Sequence, residues 1–162
     1  MIKKLKNSLR RYFFRDKPLS ASLGLIEEEE SVIQFENICI DLLHFGVSFM
    51  AVSAETGDII GAMLNSTVCR GDKIKHYCDK NNNKSLKYNK IMIILEKDER
   101  DIDFFGQYPN IERIMKLEII TVNKAYRGQG ICKALVKKSK YIKHNLFISL
   151  SIIEICRTVA TT

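Results

Sequence analysis

The stretch Leu117-Glu118-Ile119-Ile120-Thr121-Val122-Asn123-Lys124-Ala125-Tyr126-Arg127-Gly128-Gln129-Gly130-Ile131-Cys132-Lys133-Ala134-Leu135 decides how this chain folds. An apolar run ends at Val122, a short polar turn follows, and Arg127-Gly128-Gln129-Gly130 opens a helical pattern. A strand, a glycine turn and a helix in that order bring free backbone N–H groups and the positive end of a helix dipole to one point, and such a point binds phosphate. Gly128 and Gly130 allow a tight turn and let a phosphate approach the backbone without a Cβ in the way. Gly-x-Gly by itself also occurs in plain structural turns, so the surrounding spacing carries the reading. A P-loop would need four residues between its glycines and then Gly-Lys-Ser/Thr, which is absent. A dinucleotide fingerprint would need a third Gly and an acidic residue about 20 positions on. Ala134 stands near the first of these, but nothing acidic follows until Glu154.

The pattern that fits is Arg/Gln-x-x-Gly-x-Gly/Ala, here Arg127-x-x-Gly130-x-Cys132. It resembles the acetyl-CoA pyrophosphate loop of the GCN5-related N-acetyltransferase (GNAT) superfamily. Phe13-Phe14-Arg15-Asp16-Lys17-Pro18-Leu19-Ser20, with Leu23-Gly24-Leu25 behind it, is similar to the Phe-Phe-x-Asp-Glu-Pro-Leu-Asn segment of insect arylalkylamine N-acetyltransferases, the dopamine N-acetyltransferase-like enzymes. Gly46 to Val52 and Gly57 to Gly61 resemble that family's central hairpin. The resemblance runs in family order over residues 2 to 140. It implies an α/β GNAT fold, a mixed central sheet flanked by helices, in a single domain over residues 1–162. It also implies acetyl-CoA as co-substrate and a small primary arylalkylamine of the dopamine, tyramine, octopamine or serotonin class as acceptor. The coenzyme's pantetheine arm would pair with Ile120, Thr121 and Val122. Its pyrophosphate would meet the backbone of Gly128, Gln129, Gly130, Ile131, Cys132 and Lys133, with Arg127 at the edge.

The chain departs from the family at three places. The glutamate of Asp-Glu-Pro-Leu-Asn, implicated as base in the insect enzymes, is Lys17 here. An ammonium cannot take a proton, and it repels an incoming cationic amine; only strong burial would bring it toward neutrality. Asp16 is the neighbouring candidate, although adjacent loop residues generally point apart. Cys132 replaces the second Gly/Ala, which predicts weakened rather than abolished cofactor binding. The family domain opens with a strand before the first helix and continues past Ser139 into further strands. Lys140 to Thr162 departs from that pattern, so the first strand and the C-terminal strands are expected to be missing. An open sheet edge would favour self-association of an otherwise monomeric protein. The runner-up is a catalytically inactive coenzyme-A-binding or interaction protein on the same scaffold.

Composition agrees with one globular domain. The 162 residues suffice for a core without staples, and no apolar run approaches the roughly 20 residues of a membrane helix. Five cysteines without a Cys-x-x-Cys pair, and no secretory signal, read as reduced cytoplasmic thiols. His44, His76 and His144 lack ligand spacing, so no metal site is expected. Net charge is +7, with seven basic residues in the first 17 and five lysines between 133 and 143. A polyanion partner, nucleic acid or anionic lipid, is one reading. The favoured one is solvated helix faces plus attraction for coenzyme A, with neither nucleic acid nor membrane as partner.

Along the chain, apolar spacing predicts a helix over 2–14, broken by Pro18 and the 20–24 stretch. A second helix starts at Glu27 to Glu30, or at a Ser31/Gln34 capping box, and ends at Gly46. A hairpin of 47–53 and 59–65 follows, then a polar loop over 70–87. The remaining expectations are a helix over 86–105 with Ile91, Ile94, Leu95, Ile102 and Phe105 inward, a central strand over 115–122, a helix over 130–144, and β-rich chain over 146–156.

Overall fold

The computed structural model describes residues 1–72, 85–100, 103–146 and 149–151. Helix α1 (Ile2–Leu9) runs on as one π-helical stretch, Arg10–Phe14, and is followed by α2 (Pro18–Ser22), a 3-10 turn at Leu25–Glu27 and α3 (Glu29–Leu43). Strands β1 (Phe49–Val52) and β2 (Ile59–Cys69) form the hairpin. Then come α4 (Leu86–Arg100), α5 (Phe104–Gln107), β3 (Arg113–Val122), a 3-10 turn at Lys124–Tyr126, α6 (Ile131–Leu146) and β4 (Ser149–Ser151). The four strands form one mixed sheet in the order β1-β2-β3-β4. β1, β2 and β3 are antiparallel neighbours, while β3 and β4 are parallel.

One core holds the helices to the sheet. Leu5, Leu9, Phe13 and Phe14 of the first helical stretch meet Val32, Phe35, Cys39 and Leu42 of α3, Tyr88, Ile91 and Met92 of α4, and Ala62, Leu64 and Ile119 of the sheet. The wider π turn explains how two consecutive residues, Phe13 and Phe14, are both buried, with ring centroids 5.8 Å apart edge to face. Burial pushes the Cys39 thiol up to about 12, so this cysteine is an inert core hydrophobe. The opposite face of the sheet carries α6, through Leu135, Ser139 and Met115.

Several sequence expectations need correction. The segment after Pro18 is not a plain loop: Pro18 sits at the first helical position, where its missing N–H costs nothing, and starts a short helix. The Ser31/Gln34 capping box does not form, because Ser31 donates to Glu28 at 2.6 Å and the helix already starts at Glu29. Gly46 does end the helical region, at φ +69° with its N–H on the Leu43 carbonyl. In α4 the inward set is Tyr88, Ile91, Met92 and Leu95, whereas Ile94 is 43 % exposed, three residues from Ile91 but on the flank of the buried stripe. Phe105 belongs to a separate short helix. Most of the expected 70–87 loop, Ile102, and residues 152–156 of the β-rich segment lie outside the described residues. β2 runs four residues past Asn65, and three residues of the β-rich segment form β4.

Glu36 is 3 % exposed and is held by Arg10 at 2.5 Å and Lys6 at 3.3 Å. Burial acts to raise its pKa, but the Arg10 hydrogen bond and the two positive charges outweigh it and leave the carboxyl below its ordinary value. A carboxylate held down in the folded state stabilises it above the unfolded pKa, and that contribution is lost as pH falls through the folded pKa. Glu36→Gln is therefore expected to cost roughly 2–3 kcal/mol at pH 7, less than a fully buried pair because Arg10 is partly exposed, and to flatten the acid side of the stability curve. Urea denaturation from pH 7 down to pH 3 checks both; an unchanged pH dependence would remove Glu36 from the account.

Candidate active site

β3 delivers the chain into the glycine turn, and its end is locked before the turn begins. The Asn123 N–H donates to the Ile60 carbonyl at 2.8 Å, and the Asn123 side chain accepts from the Ala125 N–H at 3.0 Å, capping the 3-10 turn. Arg127 leaves that turn extended, and Gly128 and Gly130 follow at φ +80° and +79°. A side chain at either φ costs about 1–2 kcal/mol in backbone strain. The space beside both glycines is open, since a Cβ there would meet no atom within 4 Å. The first α6 ladder bond runs from the Ala134 N–H to the Gly130 carbonyl at 2.9 Å. The amides before Ala134 therefore precede the ladder, at the positive end of a 16-residue helix. This is a cradle that a phosphate group fits.

The second edge of β3 is paired over its first part among the described residues. β2 pairs with β3 from Cys69–Arg113 to Gly61–Val122. On the other edge, pairing with β4 covers Ile114, Met115 and Lys116, and among the described residues it stops there. The pairing with β2 has a register irregularity: Leu64 faces Ile119 while Asn65 faces Leu117, which leaves Glu118 as an extra residue in β3. Ile120 and Val122 are half-buried and Thr121 is buried.

Arg127 is engaged. Its Nη2 donates to Asp16 Oδ2 at 2.8 Å and its Nε to the Val122 carbonyl at 3.2 Å, which ties the segment after α1 to the glycine turn. Asp16 is consequently a partner of the loop arginine, and Lys17 places its ammonium 5.0 Å from the centre of the Phe13 ring. Asp16, Arg127 and the end of β3 are thus brought together. Sequence reading missed the Asp16–Arg127 pair, because nothing in the spacing of residues 111 positions apart announces it. It also missed Gly61, whose glycine signal in a strand pattern was available. A Cβ there would stand 2.9 Å from Ile131 Cγ2, so this glycine lets the start of α6 lie directly on the sheet. Exposed Lys124, Lys133 and Lys137 give the surroundings of the turn a positive field.

No family model matches the chain. Comparison with solved structures gives a clear answer about the fold. Arylalkylamine N-acetyltransferase 2 from Aedes aegypti superposes with a TM-score of 0.83 at 26% sequence identity, over 93% of this chain and 70% of that one. A putative arylalkylamine N-acetyltransferase 7 from the same mosquito gives 0.77 at 18% identity, over 91% of this chain and 60% of that one. Drosophila melanogaster polyamine N-acetyltransferase, an enzyme that forms N-acetylagmatine, gives 0.73 at 16% identity, over 93% and 70%. The chain has the GNAT fold. Within that superfamily its structural likeness is to the insect arylalkylamine N-acetyltransferases, in accord with the sequence resemblance. Among the described residues no three His, Cys, Asp or Glu side chains gather as a metal site, and no helix is long and apolar enough to cross a membrane.

Gly61→Ala is expected to push the start of α6 off the sheet and destabilise the protein by about 1–3 kcal/mol. A denaturant midpoint equal to that of the parent would mean that the close approach of helix and strand is not a constraint.

Proposed function

We propose that the chain is an acetyl-CoA-dependent N-acetyltransferase acting on small primary arylalkylamines, the class of dopamine, tyramine, octopamine and serotonin, as a monomer in the cytoplasm. One observation carries the reading: β3, whose second edge is unpaired beyond Lys116 among the described residues, leads directly into a glycine turn at a helix N-terminus. Coenzyme A has the matching shape, an amide-bearing arm attached to a diphosphate. In this reading the backbone of Ile120, Thr121 and Val122 pairs with the pantetheine arm as an added strand would. The N–H groups of Gly128, Gln129, Gly130, Ile131, Cys132 and Lys133 take the pyrophosphate. Arg127, held at the edge by Asp16, contributes field rather than a free guanidinium. The arylalkylamine and polyamine acetyltransferases of the same fold support an amine as acceptor.

Acetyl transfer is direct attack of the amine nitrogen on the thioester carbon. The amine has to be neutral, so a base or a water chain must take its proton. The oxyanion needs a donor, which an unpaired backbone N–H supplies, and the departing thiolate needs a proton. A second reading, a coenzyme-A-binding protein without turnover, draws on Lys17 at the position of the family base and on Asp16 being spent on Arg127. Both readings have cofactor binding in common, and turnover separates them.

Isothermal titration is expected to show coenzyme A binding that weakens about tenfold in Gly130→Ala, from the backbone strain, and that falls with added salt. No heat at millimolar coenzyme A would sink both readings. Lys17→Glu restores the residue of the family segment and is expected to raise turnover toward tryptamine; equal turnover would mean that position 17 is not what limits the reaction.

A further inference from the structure

We propose that the cleft between α1 and the strand ends binds a phosphate monoester, at a place distinct from the glycine turn. The cleft, of about 470 Å³, lies between one face of the first helical stretch, Asp58 and Ile59 where β2 begins, and Asn123 where β3 ends. That size falls among small-ligand sites, roughly 300–1,000 Å³, so a phosphate has room to enter with the group it esterifies. On the helix side Lys4, Ser8, Arg11 and Tyr12 follow the three- and four-residue spacing that puts side chains on one face. The donors facing the cleft are unspent. Ser8 lies on the buried side of α1 with Leu5 and Leu9 and is 6% exposed, yet its hydroxyl has no hydrogen-bond partner among the described residues. A hydroxyl buried in that way is a cost that a ligand removes. Asn123 Oδ1 is fixed as the acceptor of the Ala125 N–H at 3.0 Å, which leaves Nδ2 as a donor for the cleft. The exposed guanidinium of Arg11 and the half-buried Tyr12 complete the lining.

The charges of the cleft select an anion. Its carboxylate, Asp58, is already matched by Lys4 at 3.4 Å, and Lys4 also donates to the Gly57 carbonyl at 2.8 Å. Arg10, at the border, is spent on Glu36 and Glu29. Arg11 is left as a cation with no acidic partner among the described residues, surrounded by neutral donors. A guanidinium fork takes two phosphate oxygens at once, and the hydroxyl and amide donors are there for the third. A carboxylate ligand has no third oxygen to offer them, and a cationic amine would be repelled by Arg11. Two kinds of molecule present the right group. Coenzyme A carries a monoester on its ribose in addition to its diphosphate, and Asn123 caps the short turn that leads to Arg127 and the glycines. A free nucleoside monophosphate carries the same group without the diphosphate.

The test is isothermal titration of the whole chain with adenosine 3′-monophosphate, which needs no acetyl transfer and so stands apart from the reading above. Arg11→Gln is expected to weaken binding about tenfold, and Ser8→Ala, in a helix that tolerates alanine, severalfold. Lys3→Gln removes the same charge from an exposed residue outside the cleft and is expected to change affinity less than about twofold. Coenzyme A and dephospho-coenzyme A then decide the source. A preference of the parent for coenzyme A that Arg11→Gln erases supports the cleft and assigns the monoester to the coenzyme. Equal affinity for the two, with adenosine 3′-monophosphate binding undisturbed by either, supports the cleft as a separate nucleotide site. No binding of adenosine 3′-monophosphate at millimolar concentration would overturn the inference. Equal losses in Arg11→Gln and Lys3→Gln would do the same, as the mark of a diffuse positive field. So would a loss in Gly130→Ala with none in Arg11→Gln, which would put the phosphate at the glycine turn.

Discussion

The structure depends on the unequal pairing of β3. β2 satisfies one edge of the strand along its whole length, while β4 satisfies the other at only Ile114 to Lys116 among the described residues. Strand N–H and C=O groups are obligatory hydrogen-bonding groups, so whatever lies along Leu117 to Val122 has to satisfy them. Such an edge invites aggregation unless something occupies it. In the proposed reading the occupant is coenzyme A, since a phosphate-bearing molecule with an amide-bearing arm would satisfy strand and turn together.

The remaining elements hold strand and turn in place. Asn123 fixes the strand end through the Ile60 carbonyl, and Gly61 lets α6 settle on the sheet. Ser139, buried in α6, reaches both Asn65 and Met115. On the other face the aromatic stack of Phe14, Phe35 and Tyr88 joins the first helical stretch, α3 and α4. The Asp16–Arg127 pair then ties the segment after α1 to the glycine turn.

Much of this was legible in the sequence because it is local. Alternating and 3.6-spaced apolar residues placed α1, α3, β1, β2, β3 and α6, and the Arg127 to Cys132 spacing located the turn. Of the two starts the sequence offers for α3, the one at Glu27 to Glu30 holds and the Ser31/Gln34 capping box does not, because Ser31 has a competing partner, Glu28, that spacing alone cannot rank. Ile94 was assigned inward because an Ile at i+3 from a buried Ile fits either edge of a helical stripe. The Asp16–Arg127 pair, and the Ser66–Lys116–Glu118 group at the bulge, depend on strand register and on which loop crosses which. Neither register nor a one-residue bulge leaves a trace in composition or periodicity. The sequence reading therefore offers named residues for the cofactor and, for the base, only Asp16, which the structure pairs with Arg127.

The account makes one claim that stands above the rest: this scaffold moves an acetyl group. Free-thiol release from acetyl-CoA, followed with dopamine present and in an amine-free control, tests it most directly. The account predicts release that depends on the amine and saturates with it. Release at the control rate, from a chain that binds coenzyme A, would contradict the claim and leave a coenzyme-binding protein built on an acetyltransferase fold.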